Sequence, residues 1–448
     1  MHVLLSKKIA RFLLISFIFV VALIMALKHP ATKEISGQYL GPYLPESFRS
    51  TAKISVEEQR RIQREKEEAE LKQSLEQAAI KNATEYAIKE KIKSYGGNET
   101  TLGFMVPSYI NHGGSPPKAC FVSLITDKDP IAQIIESISN VQEKFNKKFA
   151  YPWVFISLGK LDGSKENMIS QTITDTMNGD SKVVDIKFIS LSPEEWVYPE
   201  WVDENKAAES LIALANMPDG DSRAVRYQAR FWAGFFWKHP SLKNFDWYWR
   251  VDPGIKLYCD IDYDVFRWMQ DRGKVFGFTL SMSEAKEANE KIWDVTKKFA
   301  KDFPKYIIED KDNFKAFITK KDSDDFNNCE FKSNFEIGNL NFYRSPAYRN
   351  FFDVIDKEGG IFYYKWSESI IHTIGLSILL PKDKIYFFEN IGFHYDKYDN
   401  CPLNDDIWSQ YKCDCDQGND FTFRSGSCGE HYFDILKKDK PEGWNKLP

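Results

Sequence analysis

Three short apolar runs occur between residues 119 and 190, and polar segments rich in helix formers separate them. The first run, Ala119 to Ile125, is mostly apolar and predicts a strand buried on both faces. Tyr151 to Ser157 and Val183 to Ser190 predict the next two strands. Helices are predicted from Pro130 to Phe145 and from about Lys165 to Met177. This alternation predicts a parallel α/β sheet with right-handed crossovers, which binds ligands beyond the carboxyl ends of its strands.

The start of the chain has a different pattern. Residues Phe12 to Leu27 are apolar except for Ser16, and three cations precede them. This run, extended to residues 9–27, predicts a membrane-spanning helix. The positive-inside rule then places residues 1–8 in the cytosol and the rest of the chain in the lumen, as in a type II membrane protein. A cleaved signal peptide is the alternative, and it also directs the body of the chain into the secretory pathway.

Residues 28–101 are predicted to form a lumenal stem. Its first part contains prolines and scattered polar residues and indicates an irregular spacer. A mixed-charge run from Val56 to Ser94 predicts a solvated helix, and a coiled coil is the alternative although sustained apolar heptads are missing. The sequons at Asn82 and Asn98 are candidate glycosylation sites. We place the catalytic domain at residues 102–448.

The composition favours a folded protein that does not bind nucleic acid. Apolar residues make up 43% of the 448 residues and aromatic residues 15%, which is enough for a sizeable core. The formal net charge of -5 gives no overall basic field, so we expect no nucleic acid as a partner. The seven cysteines would pair as disulfides in an oxidising lumen, with one left over. Zinc is the alternative, but Cys413-Asp414-Cys415 lacks the two-residue gap of a zinc knuckle, and the pairing stays undetermined.

Carboxylates follow a strand-like aromatic run that ends at Val251. Asp252 comes directly before a Pro-Gly turn, and Asp260, Asp262 and Asp264 follow in alternation. Hard divalent cations such as Mn²⁺ or Mg²⁺ prefer oxygen ligands of this kind and bridge pyrophosphate groups. From the residues alone, Asp252 and the three later aspartates are equally good metal ligands, and solvated carboxylates without a metal are the plain alternative. The usual phosphate loop, zinc-protease helix and α/β-hydrolase elbow are absent from the sequence.

Several long stretches carry a family resemblance. They are Tyr248 to Val251 with Ile255 to Ile261, Ser333 to Ile337, Arg344 to Arg349, and Ile391 to His394. In these stretches, and from about Lys118 to the C-terminus, the chain resembles the fungal Golgi α-1,2-mannosyltransferase family. The resemblance implies type II membrane proteins that use GDP-mannose. It also implies an α/β GT-A-like nucleotide-sugar transferase fold, with a Rossmann-like mixed sheet flanked by helices.

The resemblance also implies roles for individual residues. The family's metal ligands fall on Asp252, where Glu is usual, and on His394, so the expected cofactor is Mn²⁺ or Mg²⁺. Its catalytic carboxylate falls on Glu336, and Glu368 replaces a usual Asp as the second expected catalytic residue. We expect Asp252, His394 and Glu336 to share one cavity. The donor-binding positions are Val225, where tyrosine is usual, Arg226 and Arg230.

The three departures from the family pattern predict a changed reaction, because they move or remove polar atoms around a positioned donor. One branch of the family transfers mannosylphosphate, and the whole sequence resembles that branch most. We therefore predict a Golgi membrane enzyme that moves mannose-1-phosphate from GDP-mannose to mannose residues of N-linked or O-linked glycoprotein oligosaccharides and releases GMP. The alternatives are a retaining α-1,2-mannosyltransferase that releases GDP, and a non-catalytic regulator or scaffold of other Golgi mannosyltransferases.

Overall fold

The computed structural model describes residues 61–74, 76–77, 116–126, 128–177, 182–192 and 195–446. The predicted membrane helix at residues 9–27 and the sequons at Asn82 and Asn98 lie outside these residues. Residues 61–74 and 76–77 are helical with exposed side chains, so this part of the predicted stem helix is present. Within the described ranges, the helices are all too short or too polar to cross a membrane.

A seven-stranded mixed sheet is central to the body of the chain. Its strands are β1 (Ala119–Ile125), β2 (Trp153–Leu158), β3 (Ile186–Leu191), β4 (Trp247–Val251), β6 (Phe276–Phe278), β9 (Phe335–Asn339) and β10 (Ile385–Phe387). Their order is β10-β6-β9-β4-β1-β2-β3. The pairs β4-β1, β1-β2 and β2-β3 are parallel, as predicted, whereas β9 runs antiparallel to both β4 and β6. The sheet is therefore mixed, as the family resemblance implies.

Two smaller sheets complete the strands of the described body. Their members are β5 (Lys256–Leu257), β11 (Phe393–Tyr395) and β12 (Tyr398–Asn400) in one sheet, and β7 (Ser281–Ser283) and β8 (Cys329–Phe331) in the other. The helices are α1 (Ile131–Val141), α2 (Lys147–Phe149), α3 (Gly163–Thr176), α4 (Glu204–Ala213), α5 (Arg223–Gly234), α6 (Val265–Asp271), α7 (Ile292–Asp302), α8 (Lys315–Ile318), α9 (Leu340–Arg344), α10 (Pro346–Lys357), α11 (Gly360–Tyr363), α12 (Glu368–Leu379), α13 (Asp405–Gln410) and α14 (Gly429–Leu436).

Apolar side chains pack on both faces of the central sheet, because alternate residues of a strand point to opposite faces. In β1, Cys120 and Val122 belong to one apolar cluster, and Phe121 belongs to the other. Residues of α5 and α12 join the first cluster, and residues of α1 and α3 join the second. This layering of helix, sheet and helix leaves the carboxyl ends of the parallel strands as the edge where polar groups collect.

Six of the seven cysteines form disulfide bonds. The pairs are Cys259–Cys413, Cys329–Cys428 and Cys401–Cys415. Cys120 is the remaining thiol and is buried in β1. The predicted use of the cysteines, with one left over, is therefore confirmed, and zinc is not their partner.

Candidate active site

A polar cavity of about 650 Å³ lies at the carboxyl ends of β1 and β4. We call it the strand-end cavity. Leu124 of β1 lines it, and so do Asp252 and Pro253 directly after β4. Further lining residues include Val225 in the first turn of α5 and Glu368 at the start of α12. Three of the sequence-predicted site residues, Asp252, Val225 and Glu368, are thus brought together.

Local helix caps explain two of these positions. The Ser222 hydroxyl accepts a hydrogen bond from the Val225 amide at the start of α5. In the same way, the Ser367 hydroxyl accepts from the Ile370 amide and begins α12 at Glu368. A carboxylate in the first helical turn also interacts favourably with the helix dipole.

Arg250 connects the two carboxylates of the strand-end cavity. Its Nε and Nη2 each donate to one oxygen of Asp252 at 2.8 Å, and its Nη1 donates to Glu368 Oε1 at 2.8 Å. The guanidinium carbon lies 4.2 Å from the centroid of the Trp232 ring. Asn334 Nδ2 donates to Asp252 Oδ2 at 2.8 Å, and the Ser333 hydroxyl donates to Glu368 Oε1 at 2.9 Å. The fork of Arg250 therefore fixes both carboxylates in position.

Burial and neighbouring charges have opposite effects on the pKa values of Asp252, Arg250 and Glu368. Burial alone would raise the pKa of Glu368, but the charge and hydrogen bond of Arg250 outweigh it and lower this pKa to about 2. Burial raises the pKa of Asp252, although Arg250 and Asn334 act to lower it. Burial would lower the pKa of Arg250, but Asp252 and Glu368 raise it above its usual value. Glu368 is thus a carboxylate, and Arg250 a cation, at any physiological pH.

Lysine side chains add positive charge to the same cavity. Lys332 lines it, and its Nζ lies 3.2 Å from Glu330 Oε1. Burial would lower the pKa of Lys332, but Glu330 and Glu284 raise it, so the amine stays charged. Lys365 also lines the cavity and has a left-handed backbone with φ of 70°. Such strained residues are concentrated at functional sites.

Glu336 has a different environment from the one predicted. It lies in β9 opposite Arg250 of β4, and it is buried. It is not among the residues that line the strand-end cavity. The Tyr248 hydroxyl donates to Glu336 Oε1 at 2.6 Å, and His372 Nδ1 lies 3.0 Å from the same oxygen. Gly338 makes room for Tyr248, since a Cβ atom at Gly338 would lie 2.6 Å from the Tyr248 ring.

The buried network extends beyond Glu336. The Tyr248 hydroxyl is 3.1 Å from the Tyr343 hydroxyl, and His372 Nε2 is 3.1 Å from the Trp232 carbonyl oxygen. Burial and the charge of Glu336 raise the pKa of Tyr248, so its hydroxyl remains a donor. Glu336 is therefore held by protein donors on the same face of the sheet as Arg250.

His394 belongs to the small sheet of β5, β11 and β12, and it too is absent from the lining of the strand-end cavity. Its Nδ1 is 2.7 Å from Asp399 Oδ1, and the Tyr258 hydroxyl donates to the same oxygen at 2.9 Å. A carboxylate at Nδ1 favours the tautomer whose Nε2 carries the lone pair, which is the arrangement of a metal-binding histidine. The neighbouring residue Tyr395 lines the cavity. We expected Asp252, His394 and Glu336 to share one cavity, but of these three residues only Asp252 lines the strand-end cavity.

Arg226 and Arg230 are both bound by protein acceptors. Arg230 forms two hydrogen bonds of 2.7 Å with the carboxylate of Asp356. Arg226 Nη2 donates to the Gly220 carbonyl oxygen at 2.9 Å. Burial lowers the pKa of Arg226 to about 10, and its Nε and Nη1 have no hydrogen-bond partner among the described residues. Neither guanidinium lines the strand-end cavity.

Two of the later aspartates have structural partners. Asp260 forms an ion pair of 3.1 Å with Lys144. Asp264 caps α6 through the Arg267 amide and accepts a hydrogen bond from the Tyr151 hydroxyl. Of the four aspartates that sequence reasoning left equal, only Asp252 lines the strand-end cavity.

The side chains of the strand-end cavity fit a divalent cation only if a bound nucleotide supplies further ligands. Within the described ranges there is no group of three or more His, Cys, Asp or Glu residues arranged to hold a metal. Asp252 Oδ2 accepts two hydrogen bonds, whereas Oδ1 accepts one and retains acceptor capacity. Mg²⁺ and similar ions commonly bind one or two carboxylates and complete their coordination with phosphate oxygens and water. Asp252 therefore fits a nucleotide-bound cation and does not fit an all-protein cage.

Sequence reasoning did not single out Arg250, Lys332 or Lys365 as site residues. Arg250 lies in the Tyr-Trp-Arg-Val stretch of the family resemblance. Its role is visible only in the folded chain, because folding brings Glu368 to the arginine that already neighbours Asp252. Lys332 directly precedes Ser333, where one stretch of the family resemblance begins, and Lys365 lies shortly before Glu368. Single lysines carry no sequence signal of their own.

Comparisons with known proteins identify the family of the chain. Residues 67–437 match the family model described as glycolipid 2-alpha-mannosyltransferase. The mannosyltransferase KTR6 of Saccharomyces cerevisiae is 79% identical over 448 residues, with 100% of both chains covered. The glycolipid 2-alpha-mannosyltransferase of the same organism is 39% identical, again with 100% of both chains covered.

A solved structure supports the fold. The chain matches core-mannan synthase A from Aspergillus fumigatus, crystallised in a Mn/GDP form, with a TM-score of 0.66 and 27% identity. The match covers 73% of this chain and 87% of that chain. The family match spans most of the sequence and the fold is a mixed α/β glycosyltransferase fold. The chain therefore belongs to the glycolipid 2-alpha-mannosyltransferase family and is an enzyme that transfers a mannosyl or mannosylphosphate group.

Proposed function

We propose that the enzyme transfers mannose-1-phosphate from GDP-mannose to mannose residues of glycoprotein oligosaccharides. In this reaction a hydroxyl oxygen of the acceptor attacks the β-phosphorus. The bond from that phosphorus to the bridging oxygen breaks, and GMP leaves with the electron pair. The hydroxyl proton passes to solvent. The bond between mannose C1 and its oxygen stays intact throughout.

The strand-end cavity is the donor site in this proposal. It lies where open α/β sheets hold nucleotides, and its volume of about 650 Å³ suits a ligand of that size. The Mn/GDP form of core-mannan synthase A supports a guanosine diphosphate sugar and a divalent cation as ligands. Mn²⁺ or Mg²⁺ would be held by Asp252, with His394 as the second candidate ligand. When bound, the cation neutralises charge on the pyrophosphate.

Cationic side chains stabilise the transferring phosphoryl group. Phosphoryl transfer depends mainly on positioning and on neutralising charge, with little covalent chemistry for the protein to perform. Arg250, Lys332 and Lys365 line the cavity and supply positive charge. Arg226 and Arg230, the predicted donor-binding cations, support α5, whose Val225 lines the cavity. Glu368 is ionised and offers an acceptor oxygen that orients the attacking hydroxyl.

The position of Glu336 is the observation that carries the proposal. Retaining glycosyl transfer through a covalent intermediate needs a carboxylate close to C1 of the sugar. Glu336, the family's candidate for that role, is buried among Tyr248 and His372 and does not line the cavity. In-line attack at the β-phosphorus needs no such nucleophile. The buried carboxylate therefore favours phosphoryl transfer.

The second candidate function is α-1,2-mannosyl transfer with release of GDP. The description of the family, and the 39% identical glycolipid 2-alpha-mannosyltransferase, favour it. Both reactions fit an enzyme of the Golgi membrane with a lumenal catalytic domain, which is the location we propose. A non-catalytic scaffold is less well supported, because Asp252 and Glu368 are both retained at the cavity.

The nucleotide product separates the two reactions. The full-length chain is incubated with GDP-mannose, Mn²⁺ and a mannan acceptor, and the nucleotides are resolved by anion-exchange chromatography. The proposal expects GMP and an acid-labile, negatively charged mannan. GDP together with a neutral product would overturn it. Asp252→Asn should abolish either product, whereas the exposed control Asp302→Asn in α7 should not change the yield.

A further inference from the structure

A second cavity, of about 620 Å³, lies between the segments 286–294 and 320–328. We call it the Phe326 cavity. Its lining contains three lysines, four carboxylates, the amides of Asn289 and Asn328, and the rings of Trp293 and Phe326. Nothing in the donor chemistry described above uses these residues.

The Phe326 cavity lies beside the strand-end cavity. The amide of Glu284, which lines the strand-end cavity, donates to the Asn328 carbonyl oxygen at 3.0 Å. Trp366, between the cavity-lining Lys365 and Ser367, donates from Nε1 to the Glu290 carbonyl oxygen at 2.8 Å. Segments that line the two cavities are therefore hydrogen-bonded to each other, so the cavities are neighbours in the fold.

The aromatic and amide groups suit a sugar. The Trp293 and Phe326 rings stack with centroids 5.5 Å apart and an angle of 11° between their planes. The Trp293 Nε1 donates to the Asp324 carbonyl oxygen at 2.7 Å, which holds the stack in place. Asn289 is buried, and its Oδ1 has no hydrogen-bond donor among the described residues. A sugar combines an apolar ring face with hydroxyl donors, so it satisfies both features, as in pockets that pair aromatic walls with a few polar groups.

The polar groups of the lining suit the hydroxyl groups of a sugar. Four carboxylates and three lysines line the cavity, so hydrogen-bond acceptors and donors are both available to hydroxyl groups. Carboxylates accept hydrogen bonds from hydroxyl groups and repel phosphate oxygens. Glu287 and Glu290 are both exposed and free to accept from a ligand that enters the cavity.

We infer that the Phe326 cavity binds unphosphorylated mannose residues of the acceptor chain while the reacting mannose occupies the strand-end cavity. This inference rests on the proposed function in that the acceptor is a mannose oligosaccharide. It further assigns the enzyme a preference for acceptors of several sugars over a single mannose.

Acceptor length tests the inference. Phe326→Leu and Glu287→Ala in the full-length chain are assayed with GDP-mannose and either methyl α-mannoside or an α-mannotriose. Each variant should raise KM for the mannotriose by about five-fold or more, the loss expected for one good contact, and leave KM for methyl α-mannoside unchanged. Phe303→Leu and Glu309→Ala are the controls, because Phe303 is also stacked on another ring and Glu309 is also exposed, but neither lines the Phe326 cavity.

A binding measurement without turnover completes the test. Calorimetric titration of the unloaded protein with mannotriose should show weaker binding for Phe326→Leu than for Phe303→Leu. Equal KM values for wild type and both cavity variants, or equal rises for the short and long acceptors, would overturn the inference. The identity of the released nucleotide is independent of these outcomes. GDP release with a mannotriose-specific defect would therefore contradict the phosphoryl-transfer proposal and leave the acceptor site intact.

Discussion

Arg250 and Glu336 occupy paired positions on the neighbouring strands β4 and β9, yet they have different environments. Arg250 reaches the strand-end cavity and binds two carboxylates there. Glu336 is enclosed by Tyr248 and His372. Paired residues of an antiparallel sheet point to the same face, so the difference comes from the length of the arginine side chain and from what covers each residue.

In our proposal the two clusters have separate tasks. The cluster of Asp252, Arg250 and Glu368 presents charge to a ligand, and the cluster of Glu336, Tyr248 and His372 holds the sheet and its covering helices in place. The two clusters are joined through Trp232, whose ring contacts Arg250 and whose carbonyl oxygen lies 3.1 Å from His372 Nε2. The predictions that follow test whether the tasks are as separate as the geometry indicates.

Replacing Arg250 has the largest expected effect. Arg250→Met leaves Asp252 and Glu368 buried without their countercharge. The free energy of unfolding should fall by about 3–5 kcal/mol, because a buried carboxylate without a partner is costly. Transfer activity should fall by about a hundred-fold or more. Urea unfolding and initial rates measure the two effects, with the exposed Arg349→Met as the control.

Glu368 should make stability depend on pH. Its pKa is lowered from the usual 4.5 to about 2 in the folded chain, so its stabilising effect is complete above pH 4.5 and is lost as the pH falls toward 2. At pH 7, Glu368→Gln should be less stable than wild type by about 3 kcal/mol at most. The gap should narrow steadily as unfolding is measured from pH 5 to pH 3. A gap that is constant with pH would contradict the ion pair, and Glu358→Gln, at an exposed position, controls for the substitution itself.

Removing the Tyr248 hydroxyl should have a moderate effect. Tyr248→Phe deletes the donor 2.6 Å from Glu336 Oε1 and leaves His372 as its partner. The expected loss of stability is about 1–3 kcal/mol, because a buried acceptor loses one of its donors. Tyr306→Phe is the control, since within the described residues its hydroxyl has one weak hydrogen bond, accepted from Asn350 Nδ2 at 3.5 Å. Thermal or urea unfolding gives the comparison.

The smallest effect on rate is expected for Glu336→Gln. Glutamine keeps an acceptor for the Tyr248 hydroxyl, and phosphoryl transfer needs no nucleophile at this position. We expect kcat within about ten-fold of wild type, since only one hydrogen bond of a network outside the strand-end cavity changes. A loss of more than about a thousand-fold in a folded variant would instead identify Glu336 as a reacting carboxylate.

The sequence predicted the architecture well where a strand is buried on both faces. β1 has the bounds that its apolar run predicted, and β2 differs by two residues at its start and one at its end. The third strand begins at Ile186 and not at Val183, because Val183 is exposed and belongs to the preceding loop. The family resemblance implied a mixed sheet but not which strand is reversed, and strand periodicity carries no direction, so the antiparallel direction of β9 was not predicted.

The candidate site was only partly predictable. Asp252 was one of four equal aspartates, and folding selected it by placing it at the end of β4 while Asp264 caps α6. Glu336 and His394 were assigned by position within family stretches, which fixes a residue in the sequence but not the groups that surround it. Tyr248, whose hydroxyl helps to enclose Glu336, is 88 positions away from it in the sequence. Asp399, which contacts His394, is 5 positions away from that residue and has no part in enclosing Glu336.

An isotope label tests the central claim most directly. GDP-mannose carrying ¹⁸O between mannose C1 and the β-phosphorus is incubated with the full-length enzyme and a mannan acceptor, and the products are analysed by mass spectrometry. Attack at the β-phosphorus keeps the C1–oxygen bond, so the account predicts the label in the mannan. Attack at C1 would leave the label in released GDP, and that result would contradict the account.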